Sequence, residues 1–216
     1  MMSLQYLFLI ILGVVSLVYL STLLFKATIF QFILKCCIIP LILAVYLSGG
    51  NVILIPVVLA LIFAWAGDIF LVKIDNLLCF RLGLASFLIG HICYITAMFG
   101  FAQPYNIPVL IISVIIAVGL GDLLFRIIKP SPEMKIPVLA YETAILVMAI
   151  FAIQLFSSQS GAFGAFVLAG SICFVVSDSA LALVTFQKKP FYVLCMATYI
   201  AAQLLITLGF CQLVTG

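Results

Sequence analysis

Apolar residues run through this chain in long blocks separated by short polar breaks. A bilayer's hydrocarbon core takes ~20 helical residues to cross. Blocks near that length fall at 4–25, 28–48, 52–72, 79–100, 107–128, 136–156, 163–185 and 190–213. The breaks are Ser48-Gly49-Gly50-Asn51, Lys73 to Asn76, Gln103-Pro104-Tyr105-Asn106, Lys129 to Lys135, Ser157 to Gly161 and Gln187-Lys188-Lys189-Pro190. The blocks are continuous rather than alternating, which is the pattern of helices and not of barrel strands. The pattern predicts an all-α integral membrane protein, a bundle of eight transmembrane helices. The breaks leave no room for an extramembrane domain, so residues 1–216 read as one eight-span membrane domain.

Composition sharpens this. The 216 residues are 68% hydrophobic and 7% charged, against about a quarter charged in a soluble domain. The net charge of +3 is small, and no basic cluster points to nucleic acid. The stretch 4–25 is too long for a signal-peptide core and has no basic residue before it, so it reads as a retained first span. The seven cysteines, Cys36, Cys37, Cys79, Cys93, Cys173, Cys195 and Cys211, make no C-x-x-C pair and read as free thiols acting as small apolar residues. One histidine cannot supply the ligand cluster of a zinc hydrolase. No metal and no cofactor is expected.

The basic residues set the expected orientation. Lys26, Lys73, Arg81, Arg126, Lys129, Lys135, Lys188 and Lys189 all fall in or beside the breaks after spans one, three, five and seven. The alternate breaks and both ends carry none. The positive-inside rule then places the basic breaks in the cytosol and both termini outside it; in a bacterium this is the inner membrane.

Six ionisable residues remain within the apolar blocks: Lys35, Asp68, His91, Asp122, Glu142 and Asp178. Each costs about 2.5–3.5 kcal/mol near the membrane centre on insertion scales. A rise of 1.5 Å per residue puts Asp68 roughly 7 Å from Lys73, His91 roughly 15 Å from Arg81 and Asp178 roughly 15 Å from Lys188. Helices of opposite direction thus carry their polar residues to one cytosolic-side layer, as a shared cavity requires.

Four carboxyls and one lysine in that layer would sum to about −3, a charge that a low-dielectric cavity resists. At least one acid is therefore expected to hold its proton. A protonated carboxyl beside an ionised one suits general acid catalysis through a cation-like transition state. The competing reading for Asp122 and Glu142 is solvation or pairing with Arg126 and Lys135. Ser177 and Ser179 flank Asp178 and serve either its carboxylate or local carbonyls. No G-x-S-x-G elbow accompanies them. Gly83, Ser86 and Gly90 form a small-residue packing stripe on span four, and His91 and Tyr94 lie on a neighbouring face. Tyr141, Tyr199 and Gln203 add polar groups on spans six and eight.

Four strings occur together and in order: Gly67-Asp68; Phe80, Gly83, Phe87, Gly90-His91 and Tyr94; Phe174, Ser177-Asp178-Ser179 and Leu181-Ala182; and Thr198-Tyr199, Ala202 to Ile206 and Gly209. With Tyr141 they resemble the YhhN-like lysoplasmalogenases, from span two to span eight. Span two departs from the family's Lys-Pro, since Lys35 precedes Cys36 and the proline is Pro40. Asp122 and Glu142 are outside the matched pattern.

The resemblance implies hydrolysis of the vinyl ether bond of lysoplasmalogens, to a fatty aldehyde and glycerophospho-ethanolamine or glycerophospho-choline. The substrate is then a lysophospholipid drawn from membrane lipid. Asp68 and Asp178 are expected as acid and base, in either order. Lys35 with Arg81 is expected to hold the phosphate, and His91, Tyr94, Tyr141, Ser177, Ser179, Tyr199 and Gln203 to line the headgroup and water site. The rival reading is a proton-coupled transporter, since intramembrane carboxyls also carry proton relays. Against it, the polar layer is one-sided.

Overall fold

The computed structural model describes residues 4–25, 29–49, 52–73, 75–159 and 161–213. Lys26, Gly50 and Asn51, which the sequence places in breaks, lie outside the described residues. The helices are α1 Leu4–Thr22, α2 Ile29–Gly49, α3 Ile55–Phe70, α4 Leu77–Phe99, α5 Ile107–Ile128, α6 Lys135–Ser158, α7 Ala162–Gln187 and α8 Tyr192–Cys211. A 3₁₀ turn at Leu71–Lys73 extends α3, and another at Pro132–Met134 leads into α6. Counted with these turns, all eight are long and apolar enough to cross a membrane. There is no strand among the described residues. The chain is an all-α, multi-pass membrane protein.

Local chemistry sets the helix ends. Asn76 and Asn106 cap α4 and α5, their side-chain oxygens accepting from the amides of Cys79 at 3.0 Å and Val109 at 3.3 Å. These bonds satisfy amides that a helix start leaves free. The Asn76 cap lets α4 begin two residues ahead of the apolar block. Lys129 (φ 49°) and Lys188 (φ 55°) close α5 and α7 in the left-handed conformation. Glycine is the usual residue there, but a lysine adds a cation at the negative end of the helix dipole.

The closest helix pairs are α7 with α8, α3 with α4 and α1 with α2; α6 packs on α4, α5 and α7, and α2 on α3 and α8. Missing side chains permit the close approaches. A Cβ on Gly90 would sit 3.3 Å from the Ala60 carbonyl of α3, and one on Gly170 would sit 2.9 Å from the Ala202 carbonyl of α8. Small residues of this kind substitute for a hydrophobic drive that lipid does not supply. The outward faces carry large apolar residues, among them Ile111, Ile112, Ile115 and Val118 of α5.

Pro40 lies inside α2. Proline has no amide hydrogen, so the carbonyl four residues earlier loses its helical donor. That carbonyl belongs to Cys36, and the Trp65 indole of α3 donates to it at 2.9 Å. The proline thus creates an acceptor that ties α2 to α3. It does so one residue from Lys35 and one helical turn from Asp68.

Candidate active site

Three helices meet at Asp68. The Lys35 Nζ of α2 is 3.3 Å from its Oδ1, and the Tyr199 hydroxyl of α8 donates to its Oδ2 at 2.7 Å. All three side chains are buried. A buried carboxylate costs several kcal/mol unless paired and hydrogen-bonded; here it has both an ammonium and a phenol. The preceding Gly67 makes room for this, since a Cβ there would fall 2.6 Å from the Phe87 ring of α4.

Asp178 of α7 has different neighbours. The Tyr141 hydroxyl of α6 donates to its Oδ2 at 3.1 Å. His91 Nε2 of α4 stands 3.9 Å from the same oxygen. The other ring nitrogen, Nδ1, is 2.7 Å from the Phe87 carbonyl. A carbonyl only accepts, so Nδ1 carries a proton, and in the neutral ring Nε2 presents a lone pair. Nε2 is buried without a hydrogen-bond partner. Edge contacts with Tyr141 (centroids 5.5 Å apart) and Phe174 (5.0 Å) hold the imidazole in place.

The two aspartates line one recess, together with Lys35, Ser177, Cys195 and Tyr199. Asp178 also borders a second cleft, beside Tyr141 and Glu142. Tyr94 donates to the Gln203 side-chain oxygen at 2.7 Å, one helical turn along α8 from Tyr199. Lys35, Asp68, His91, Tyr94, Tyr141, Asp178, Tyr199 and Gln203 therefore form a connected polar interior.

The remaining sequence candidates lie differently. Arg81 is exposed, donates to the Glu133 carbonyl at 3.2 Å, and lines neither hollow. Its position at the start of α4 turns it to the surface, away from Lys35. Asp122 is exposed and paired with Arg126 at 2.8 Å, so it leaves the polar layer. Ser177 donates to the Cys195 carbonyl at 3.1 Å and Ser179 to the Val175 carbonyl at 2.7 Å. Both hydroxyls serve carbonyls rather than the Asp178 carboxyl, although Ser177 still borders the shared recess.

Glu142 keeps its place in the polar layer, against the competing reading of solvation or pairing with Lys135. It is 9% exposed, faces the Asp178 cleft, and neither carboxyl oxygen has a partner. A signal was present: no basic residue stands three or four positions away on α6, whereas Asp122 has Arg126 at four. Among the described residues, no three His, Cys, Asp or Glu side chains converge as a metal site would require.

Eight membrane-crossing helices around two aspartates, Asp68 buried and Asp178 nearly so, define a polytopic membrane protein with a carboxyl site inside its bundle. The YhhN family model matches residues 30–210, and the chain belongs to that family. The human lysoplasmalogenase TMEM86B is 37% identical to it over 129 residues, covering 59% of this chain and 52% of the relative. The match thus spans about half the length of that relative. No solved structure matches the chain.

Proposed function

We propose that this chain is a lysoplasmalogenase that hydrolyses the vinyl ether bond of lysoplasmalogens, and that residues 1–216 act as one membrane domain. The observation that carries the reading is the recess that Asp68 and Asp178 share, with a lysine on one aspartate only. Family membership and the human relative support it.

Vinyl ether hydrolysis is limited by protonation of the alkene carbon. Asp178 is the donor. It faces the lone pair of His91 Nε2, which a protonated carboxyl satisfies and a carboxylate repels. Asp68, with an ammonium and a phenol as donors, is the carboxylate. The Asp178 proton goes to the carbon one bond removed from the ether carbon, and an oxocarbenium ion forms. Asp68 stabilises that cation and takes a proton from the water that attacks it. In the resulting hemiacetal, Asp68 returns its proton to the glyceryl oxygen as the carbon–oxygen bond breaks, and Asp178 recovers one from the hemiacetal hydroxyl. The products are a fatty aldehyde and the glycerophospho-alcohol, and both aspartates end as they began.

Lys35 gives one of three N–H donors to Asp68 and keeps the others for the phosphate. Tyr141 and His91 orient Asp178; Tyr94 and Gln203 are bonded to each other one helical turn along α8 from Tyr199. The positive-inside rule supports a site that opens toward the cytosol, with both termini on the opposite side. The test supplies purified protein with a lysoplasmenyl phospholipid or with its acyl lyso-analogue and measures aldehyde. Release from the first alone is expected; release from neither, or equal cleavage of both, overturns the reading.

A further inference from the structure

The mechanism leaves Glu142 without a task and the Asp178 cleft without an occupant. That cleft lies between α5, α6 and α7. Apart from Tyr141, Glu142, Asp178 and Ser179, its walls are apolar. Two of them, Leu146 and Val175, also wall a second groove between the same helices, lined by Ala117 of α5 and Ala149 of α6. The two hollows share Leu146 and Val175 and follow one another along α6.

Their form fits one kind of occupant. The polar groups gather at the Asp178 end, and Ser113 is the polar residue of the second groove. At its far end, beyond Ile150, Gln154 is bound to the backbone of Asn106, accepting from its amide at 3.0 Å. From Glu142 to Ile153 the groove follows α6 for eleven residues, a rise of about 16 Å. A lipid chain crosses about 15 Å in half of a bilayer's hydrocarbon core. The groove is open to the lipid side as well: Ile116 and Ile172 border it and are 60% and 55% exposed. At the polar end, Glu142 points an unpartnered, buried carboxyl into the cleft.

We infer that the α5–α6–α7 groove is the alkenyl-chain site. The chain enters sideways from the bilayer and lies along α6 with its tip toward Gln154. Its enol ether carbons then rest at Asp178, the residue that borders both this cleft and the recess of Asp68. This rests on the reading of the chain as a lysoplasmalogenase. Asp178, which borders both hollows, marks where the chain ends and the glycerophosphate begins. Ala117 and Ala149 set the chain length that fits, because a larger side chain at either position fills the groove partway along.

The experiment has two arms. In the first, Ala117→Phe and Ala149→Phe are assayed with lysoplasmenyl lipids of long and short alkenyl chains. Each is expected to lower kcat/KM for the long chain by about tenfold or more relative to the short one, since single methylenes in a tight pocket are worth that much. Ala117→Leu, a smaller insertion, is expected to shift the preference in the same direction. Equal loss on all chains, or none, overturns the inference. In the second arm, a lysophospholipid with a photoreactive diazirine at its chain end is irradiated with the wild-type protein and the labelled peptides are mapped. Labels on α5, α6 and α7 near Ala117 and Ala149 are expected; labels spread around the whole lipid-facing surface overturn it. The arms separate the two readings. Labelling of the groove with no vinyl ether cleavage refutes the enzyme and keeps the chain site, whereas cleavage with labels elsewhere does the reverse.

Discussion

Tyr199 reaches across 131 residues of sequence to donate its hydroxyl to Asp68 at 2.7 Å. The bond fastens α8 to α3 at the base of the recess. A hydrogen bond to a charged group contributes about 1.5–3 kcal/mol. Tyr199→Phe is expected to lose stability of that order in detergent, read as a lower unfolding midpoint. An unchanged midpoint would mean that the bond does not form in solution.

The proposed division of roles between the aspartates requires both. Asp68→Asn and Asp178→Asn should each lower turnover at least ~100-fold, the lower range of general acid–base contributions. Aldehyde release in matched preparations is the measurement. Near-normal turnover in either variant removes that residue from the chemistry.

Lys35 and Asp68 make a cycle that separates pairing from catalysis. Lys35→Met alone leaves a buried carboxylate without its cation, a defect that costs about 3–5 kcal/mol. Lys35→Met with Asp68→Asn removes both charges and is expected to recover most of that stability while staying inactive. Additive losses in the double variant would show that the two side chains do not interact.

Trp65 tests the proline device in α2. Trp65→Phe leaves the Cys36 carbonyl with neither its helical donor nor the indole, at a cost of about 1–3 kcal/mol. Pairing Trp65→Phe with Pro40→Ala restores a backbone amide four residues on and should return part of the stability. No recovery in the thermal melt would mean that the indole acts by packing alone.

Arg81 is the contrasting case. Its exposed side chain lines neither hollow, so Arg81→Ala is expected to keep stability within about 0.5 kcal/mol and to leave KM for the lysophospholipid as in the wild type. A large rise in KM would return Arg81 to the phosphate site that the sequence assigned it.

Much of this architecture was legible in the chain. The spans could be read because a helix must carry about twenty apolar residues across the bilayer, and the breaks are short. Depth could be read too: a fixed rise per residue converts distance from a basic loop into height, and Lys35, Asp68, His91 and Asp178 do assemble. Rotation about each helix axis could not. Asp122 shares the expected depth but turns outward to Arg126, and Glu142 turns inward with no partner. Which residues pair was likewise hidden. Lys35, Asp68 and Tyr199 come from three helices, and their meeting depends on packing that no single span encodes. The exception is Pro40, where a missing amide hydrogen marks the carbonyl that another helix must serve.

The flank of α5 is almost wholly turned outward, and the groove beside it has no lid on that side. A substrate that arrives through such an opening never passes through bulk water as a free solute. On the proposed lysoplasmalogenase reading, the quantity that sets saturation is then the mole fraction of lysolipid in the surrounding bilayer. Diluting the membrane with inert phospholipid at constant total substrate should slow the reaction, whereas adding buffer to the same vesicles should not.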